Sequence, residues 1–355
     1  MPASSVVKHP RRLLILRFSA LGDVAMTVPV VASLAAQYPQ MQITVASQPF
    51  LAPLFEHIAP NVQFFGADIR KTYRGLRGLW QLSRTAPFQD CDAVADLHDV
   101  LRTKILRCFL RLRGKRLAVI DKHRREKRLL VEHKIFRPLP TSFALYAETL
   151  ARLGLPVKLN FERLKLDGDA LHLPFPFSTD TLHEPWLGLA PFAAHEGKVY
   201  PLEQMTEVVQ LYFESHSHGR LFVFGSKKEM EMLRPTWGKG FERLVFVCDI
   251  LKGLDAELQL MARLNAMVSM DSGNMHLASL VGCPVVSIWG QTHPFAGFMG
   301  YHQAEENVVQ QDLHCRPCSI FGNAPCRYGD FRCLRDILPQ LIVDKVEEII
   351  SPEQD

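Results

Sequence analysis

Met270-Asp-Ser-Gly-Asn-Met-His-Leu-Ala-Ser-Leu280 reads as the point where a buried strand hands over to a helix. The preceding Leu264-Asn-Ala-Met-Val-Ser269 is a mostly apolar run of strand length. A strand that stops at Asp-Ser-Gly and restarts as a helix leaves backbone N–H groups and a positive dipole end at the turn. That is where a phosphate or diphosphate binds. Gly273 lets the backbone approach an anion closely. Asp271 and Ser272 are helix-capping residues, and His276 lies one turn in. An ordinary capped helix reads the same way, so the turn by itself does not decide the matter.

A second stretch near the N-terminus repeats the grammar. Leu13-Leu-Ile-Leu-Arg17 is a buried strand, Phe18-Ser-Ala-Leu-Gly-Asp23 a small-residue turn, and Val24 to Ala36 an apolar helix. Two such turns at opposite ends of the chain predict two nucleotide-fold units, each with its active turn at the carboxyl end of a sheet. Neither turn contains Gly-x-Gly-x-x-Gly, so the pattern is not that of NAD binding.

The rest of the chain supports two domains. At 355 residues it is long enough for two full cores, and 47% hydrophobic with 22% charged residues is a globular composition. Strand signals at 42–47, 62–65, 93–97 and 116–120 alternate with helical stretches at 76–84, 100–112 and 143–153. They recur at 187–190, 220–224, 244–247, 266–270 and 285–289, with helices at 202–214 and 256–264. Such alternation predicts an α/β fold of mostly parallel, doubly wound sheets. The expected divisions are a first domain over 1–170, a linker over 171–185 around Leu173-Pro-Phe-Pro-Phe177, and a second domain over 186–334. A final helix over 335–355 is expected to cross back to the first domain. No apolar run is long enough to span a bilayer and the first residues lack a signal-peptide core, which predicts a cytoplasmic protein.

Together the two turns resemble those of glycosyltransferase family 9, the ADP-heptose:lipopolysaccharide heptosyltransferases. Arg17-Phe-Ser-Ala-Leu-Gly-Asp-Val24 looks like the family's N-terminal signature and Asp271-Ser-Gly-Asn-Met-His276 like its donor-binding signature. The resemblance covers nearly the whole chain. It implies the GT-B fold, two facing Rossmann-like domains. It also implies inverting transfer of a sugar, heptose from ADP-heptose in the known cases, to a phosphorylated glycolipid of the lipopolysaccharide core. No metal or other cofactor is required for that chemistry.

The resemblance assigns roles residue by residue. Asp23 is the catalytic base, because inversion in one displacement needs a carboxylate at the acceptor hydroxyl; its plain structural alternative is a helix cap. Ser19, Gly22 and Arg102 face the acceptor, Arg102 at the end of Asp96-Leu-His-Asp-Val-Leu-Arg102, where His98 replaces a more usual Gln. Asp271, Ser272, Gly273, Asn274, Met275 and His276 hold the donor diphosphate, with Lys198 as the cation that stabilises the leaving group. Around Lys198 the chain keeps Tyr200 and Pro201 but has Ala193 and Ala194 where the family shows hydroxyls. Glu229 matches an acid that contacts the ribose or base; the alternative is a solvated helix residue. A nucleotide-sugar epimerase of the same fold would need further acids for proton abstraction, and no motif supplies them. A non-catalytic glycolipid- or membrane-associated binding protein would not need Asp23.

Two features lie outside these motifs. Residues 102–137 hold fourteen Lys or Arg against three acids, net +11, in a chain whose overall charge is +4. The segment predicts a meeting with the anionic inner leaflet of the membrane or with a phosphorylated lipid. It lacks the interleaved aromatics of a single-strand binder, so nucleic acid is not an expected partner. The loop 315–333 carries Cys315, Cys318, Cys326 and Cys333, a spacing that predicts a structural zinc, with reduced thiols as the alternative. Cys91, Cys108, Cys248 and Cys283 fall in apolar segments and read as core residues.

Overall fold

The computed structural model describes residues 9–166 and 185–351, so the expected linker at 171–185 lies almost wholly outside them. The chain divides into two compact units, 9–123 with 140–165, and 124–139 with 185–351.

The first unit runs β1 (Arg12–Leu16), α1 (Leu21–Ala25), α2 (Val28–Gln37), β2 (Gln42–Ser47), β3 (Val62–Gly66), α3 (Gly75–Leu82), α4 (Ala86–Asp90), β4 (Ala93–Asp96), α5 (Leu101–Leu112) and β5 (Arg116–Val119). The helix α6 (Arg124–Val131) belongs to the second unit, and α7 (Ser142–Ala151) returns to the first. All strand pairs in the first sheet are parallel, in the order β3-β2-β1-β4-β5. Leu13 to Leu16 are buried on both faces, which is why the strand reads as a continuous apolar run. Leu14 and Leu16 pack with Leu79, Leu82, Leu106 and Leu110 to seat α3 and α5 on the sheet. Each such leucine contributes on the order of 1.5–3 kcal/mol by leaving water.

The second unit runs β6 (Trp186–Ala190), α8 (Leu202–Ser215), β7 (Arg220–Val223), α9 (Lys227–Gly240), β8 (Leu244–Phe246), α10 (Val247–Ile250), α11 (Leu254–Met261), β9 (Ala266–Met270), α12 (Gly273–Leu280), β10 (Val285–Trp289), β11 (Val308–Gln310), α13 (Arg332–Arg335) and α14 (Pro339–Ile350). Its sheet is also parallel, ordered β11-β10-β9-β6-β7-β8. Ile342, Val343 and Val346 of α14 are buried in this unit's own core with Val208, Val209 and Tyr212 of α8. The final helix, expected to reach back to the first domain, instead spends its apolar face here. The lone Pro339 and Leu338 also break it from the short α13, where one helix from 335 was expected.

Counted from its first strand, each sheet has the order 3-2-1-4-5, and the second adds a sixth strand. The chain changes direction of winding between β1 and β4 in one unit and between β6 and β9 in the other. Loops leaving the carboxyl ends of those strands part there and leave a crevice, the usual place for a ligand in such a sheet.

Candidate active site

Both sequence turns emerge at these two crevices. In the first unit, the chain leaves β1 through Arg17 and enters α1 at Leu21, three residues earlier than the sequence suggested, so Asp23 sits inside the first helical turn. Its Oδ2 accepts from the Ala20 N–H at 3.1 Å and lies 2.6 Å from an Arg17 guanidinium nitrogen. The Arg17 side chain is only 7% exposed, whereas that of Asp23 is 32% exposed. The other guanidinium nitrogen donates to the Leu97 carbonyl at 2.5 Å, tying the turn to the end of β4. Tyr146 of α7 donates to the Asp23 carbonyl at 3.2 Å. Burial lowers the proton affinity of Arg17, but Tyr146 and Asp23 outweigh it, so the guanidinium is held charged.

His98 braces the same turn. The Phe18 N–H donates to its Nδ1 at 3.4 Å, and its Nε2 lies 3.3 Å from the Ser19 hydroxyl. Burial, then the charge of Arg17, push its pKa down to about 3. A neutral ring that accepts at Nδ1 carries its proton at Nε2, which then donates to Ser19. Asp96 at the end of β4 accepts from the N–H groups of His98 and Asp99 and pairs with Arg107 at 2.8 Å. Gly22 is buried, Ser19 half-buried, and Arg102 exposed on the first turn of α5. Arg102 and Lys122 both act electrostatically on His98, so a cationic rim borders the turn.

In the second unit, β9 ends at Met270 and α12 begins at Gly273, as the strand–turn–helix reading requires. Ser272 is the residue before the helix, and no side chain caps it; its hydroxyl instead meets Ser269 at 3.3 Å. Gly273 and Asn274 are half-buried, and Met275 and His276 are buried. Asp271, read as a diphosphate holder, is buried and pairs with Lys198 at 2.8 Å. The Lys198 ammonium also donates to the Asp271 carbonyl at 3.1 Å. Lys198 reaches this point from the short turn Glu196–Lys198 after β6, so the pair closes the gap between β6 and β9.

Glycines make room around this lysine. A Cβ on Gly322, whose φ is +73°, would fall 2.5 Å from Lys198 Cγ, and one on Gly197 would fall 2.0 Å from the Gln291 side-chain oxygen. The Gln291 N–H donates to the Gly197 carbonyl at 2.8 Å, and the Gln291 carbonyl accepts from Cys318 and Ser319. The cysteine loop is thus stitched to the end of β10 and lies against Lys198. Buried Arg316 anchors it, donating to the Gly290 carbonyl at 2.5 Å, the Thr292 carbonyl at 2.8 Å and the Gln310 side chain at 3.0 Å. Burial lowers its pKa to about 10. Sequence reasoning missed Arg316 because it stood as a spacer between two cysteines. Arg17, Tyr146, Gly197 and Gly322 were missed because their roles exist only through distant partners.

The other two expected features are Glu229 and the late cysteines. Glu229 forms a reciprocal cap at the start of α9: its Oε2 accepts from the Ser226 N–H and hydroxyl at 2.7 Å each, and its own N–H donates to Ser226 at 3.3 Å. Cys315, Cys318, Cys326 and Cys333 are free thiols, and among the described residues no group of three or more His, Cys, Asp or Glu is placed to hold a metal ion. Burial pushes Cys333 up to about 12. Cys326 moves the other way, burial being outweighed by backbone N–H groups around residues 328–331.

Comparison with known proteins fits this geometry. The chain is 25% identical to the lipopolysaccharide core heptosyltransferase OpsX of Haemophilus influenzae over 303 residues, 80% of each protein. It is 20% identical to lipooligosaccharide heptosyltransferase 2 of Campylobacter jejuni, covering 94% of this chain and 97% of that one. Among solved structures, a family 9 glycosyltransferase of Veillonella parvula aligns with a TM-score of 0.73 at 17% identity, covering 96% of this chain and 97% of that one. ADP-heptose heptosyltransferase II of E. coli aligns at 0.68 and 20% identity, over 97% and 100% of the two chains. These neighbours have the GT-B fold, and the two doubly wound parallel sheets described above are of that class. The family model described as glycosyltransferase family 9 (heptosyltransferase) matches residues 81–324, more than half of the sequence, and the chain belongs to that family of glycosyltransferases.

Proposed function

We propose that the protein is an inverting glycosyltransferase that moves heptose from ADP-heptose to a phosphorylated sugar of a lipopolysaccharide core or related glycolipid. The observation that carries the reading is the opposite polarity of the two crevices. The first unit buries a cation, Arg17, and presents a carboxylate; the second buries a carboxylate, Asp271, and backs a helix N-terminus with a lysine. A displacement that releases ADP needs one of each. The names of the relatives support the sugar and acceptor, and an E. coli relative of this fold has been solved with ADP.

In this reading Asp23 takes the proton of the acceptor hydroxyl as its oxygen attacks the anomeric carbon, and the bond from that carbon to the diphosphate oxygen breaks. Arg17 fixes the carboxylate, and neutral His98 orients Ser19. Ser19, Gly22 and Arg102 receive the acceptor. The first-turn N–H groups of Gly273, Asn274 and Met275, with Ser272, His276 and Lys198, receive the diphosphate whose charge grows as it leaves. Asp271 positions Lys198, and Glu229, besides capping α9, contacts the ribose. No step of this scheme uses a metal. The first domain, 1–170, serves the acceptor and the second, 186–334, the donor. The protein works at the cytoplasmic face of the inner membrane, where the part of its basic segment 102–137 that lies in the first unit meets anionic lipid.

Incubation with ADP-heptose and a heptose-deficient core glycolipid should release ADP and add one heptose with the anomeric configuration inverted, as read by NMR of the product. Retained configuration would overturn the mechanism. Tighter binding of UDP than of ADP would overturn the donor assignment.

A further inference from the structure

We infer that the corner of the first unit formed by α3 and the end of α5 is a membrane-docking face that takes anionic phospholipid headgroups. Three apolar side chains stand in water there: Leu76 and Trp80, one turn apart on α3, and Leu112 at the end of α5, exposed by 66%, 45% and 81%. Leu76 and Trp80 share one face of α3, and a monomeric surface seldom leaves such large apolar groups side by side without a partner. One cation touches this set directly, and two more are tied close to the end of α3. The Arg84 guanidinium lies 4.7 Å from the Trp80 ring centroid. Arg113 donates to the Ser83 carbonyl and Lys115 to the Gln89 carbonyl, so the end of α5 is tied beside the end of α3. Arg84, Gln89, Arg113 and Lys115 line a surface cavity of about 330 Å³, of a size for a phosphodiester headgroup.

Charge selects the occupant. Residues 69–89 hold five Lys or Arg and residues 100–120 seven, and neither stretch contains an acid. The acids that border them are engaged elsewhere. Asp68 accepts from the N–H groups of Arg70 and Lys71, Asp92 from those of Arg11 and Arg12, and Asp99 pairs with Arg107. Asp90 faces Arg12 at 4.0 Å, and Asp121 accepts from the His123 N–H at 3.0 Å. A tryptophan and leucines ringed by arginine and lysine are what an interfacial surface needs, with the apolar groups in the acyl boundary and the cations at phosphate level. The basic stretch 102–137 is not one surface, because its part from 124 onward lies in the second unit. There Lys127 stacks on Phe298 at 4.3 Å, and Arg128 and Lys134 pair with Glu132.

The inference rests on the lipid-linked acceptor proposed above. It is tested without donor or acceptor, so its failure leaves that reading standing. Co-sedimentation of the whole protein is measured with vesicles of phosphatidylglycerol mixed with phosphatidylcholine, and with pure phosphatidylcholine. Binding to the mixed vesicles is expected, weakening with salt. Arg84→Gln with Lys115→Gln should lower the partition coefficient about 25-fold, at roughly fivefold per cation. Leu76→Gln with Leu112→Gln should lower it at least about tenfold. Both double variants should keep wild-type ADP affinity and circular dichroism, which shows them folded. Equal binding to both vesicle types would overturn the proposal. So would binding unchanged in both double variants but lost in Arg124→Gln with Arg125→Gln. A wild-type oligomer that the α3–α5 substitutions dissociate, seen by light scattering, would assign the face to a second copy of the chain and also overturn it.

Discussion

The two crevices are built alike and charged in opposite senses. Each lies where a parallel sheet reverses its winding, each is entered by a strand–turn–helix, and at each turn a carboxylate pairs with a cation, at 2.6 Å in the first unit and 2.8 Å in the second. In the first, the cation is the buried partner and the carboxylate faces outward. In the second, the Asp271 side chain is 4% exposed and Lys198 15%, beneath an uncapped helix start. One architecture therefore presents an outward-facing carboxylate on one side and an uncapped helix start backed by a lysine on the other, and the difference lies in which member of the pair is the more buried. A buried ion pair adds little net stability on its own, but breaking it by removing one partner is costly.

That contrast can be broken at either end. The largest effect is expected from Asp23→Asn, which keeps the shape and the hydrogen bond from Ala20 but removes the base. Transfer should fall about 10²–10⁴-fold with ADP affinity unchanged, as read by steady-state kinetics and calorimetry. Wild-type transfer rates in that variant would remove Asp23 from the mechanism. Lys198→Met strikes the other crevice. It leaves the Asp271 carboxylate buried without its cation, so unfolding free energy should drop by about 3–5 kcal/mol and KM for the nucleotide sugar should rise. Adding Asp271→Asn should restore most of the stability in urea titrations while KM stays high. If KM recovers too, the lysine serves the fold alone.

A smaller effect concerns protons. His98 is neutral when folded, with a pKa near 3, whereas an unfolded histidine titrates near 6.5. Its contribution is fully present above about pH 6.5. As pH falls toward 3, the unfolded chain gains a proton that the folded chain refuses, and stability declines by about 1.4 kcal/mol per pH unit at most. His293, lowered to about 4 by burial, adds to the same slope. His98→Gln should therefore flatten the decline of the urea midpoint between pH 6.5 and 4 without abolishing it. An unchanged slope would show that the buried ring is not what the acid disturbs. The smallest effect is chemical. Alkylation at mildly alkaline pH should label Cys326 well before Cys333, by peptide mass spectrometry, because one thiol is shifted down and the other pushed up to about 12. Equal rates would contradict the environments seen in the loop.

Much of this was legible in the residues. Strands buried on both faces announce themselves as unbroken apolar runs, and β2, β9 and β10 begin and end where the sequence placed them. Some short or charged elements were not legible: β11 is three residues long, and α6 and α9 are rich in charge, whereas β8, equally short, shows in its apolar run. The turns at Asp23 and Asp271 were found because small residues between an apolar strand and a helix are a local signal. Glu229 was also a local signal, but of the reciprocal cap with Ser226, a pattern that needs only its neighbours.

The sequence alone determined the class of fold, the two turns and the family, because these depend on local periodicity and on residues adjacent in the chain. Tertiary structure decided the pairing of charges. Arg17 meets Leu97, Tyr146 meets Asp23, and Lys198 meets Asp271 across 73 positions, with Gly322 leaving the space for that lysine. It also sent α14 into the second core and split one basic stretch between two units. Strand order brings such residues together, and order in a sheet is set by burial summed over the whole unit. The polarity of each crevice therefore lay beyond any single stretch of sequence.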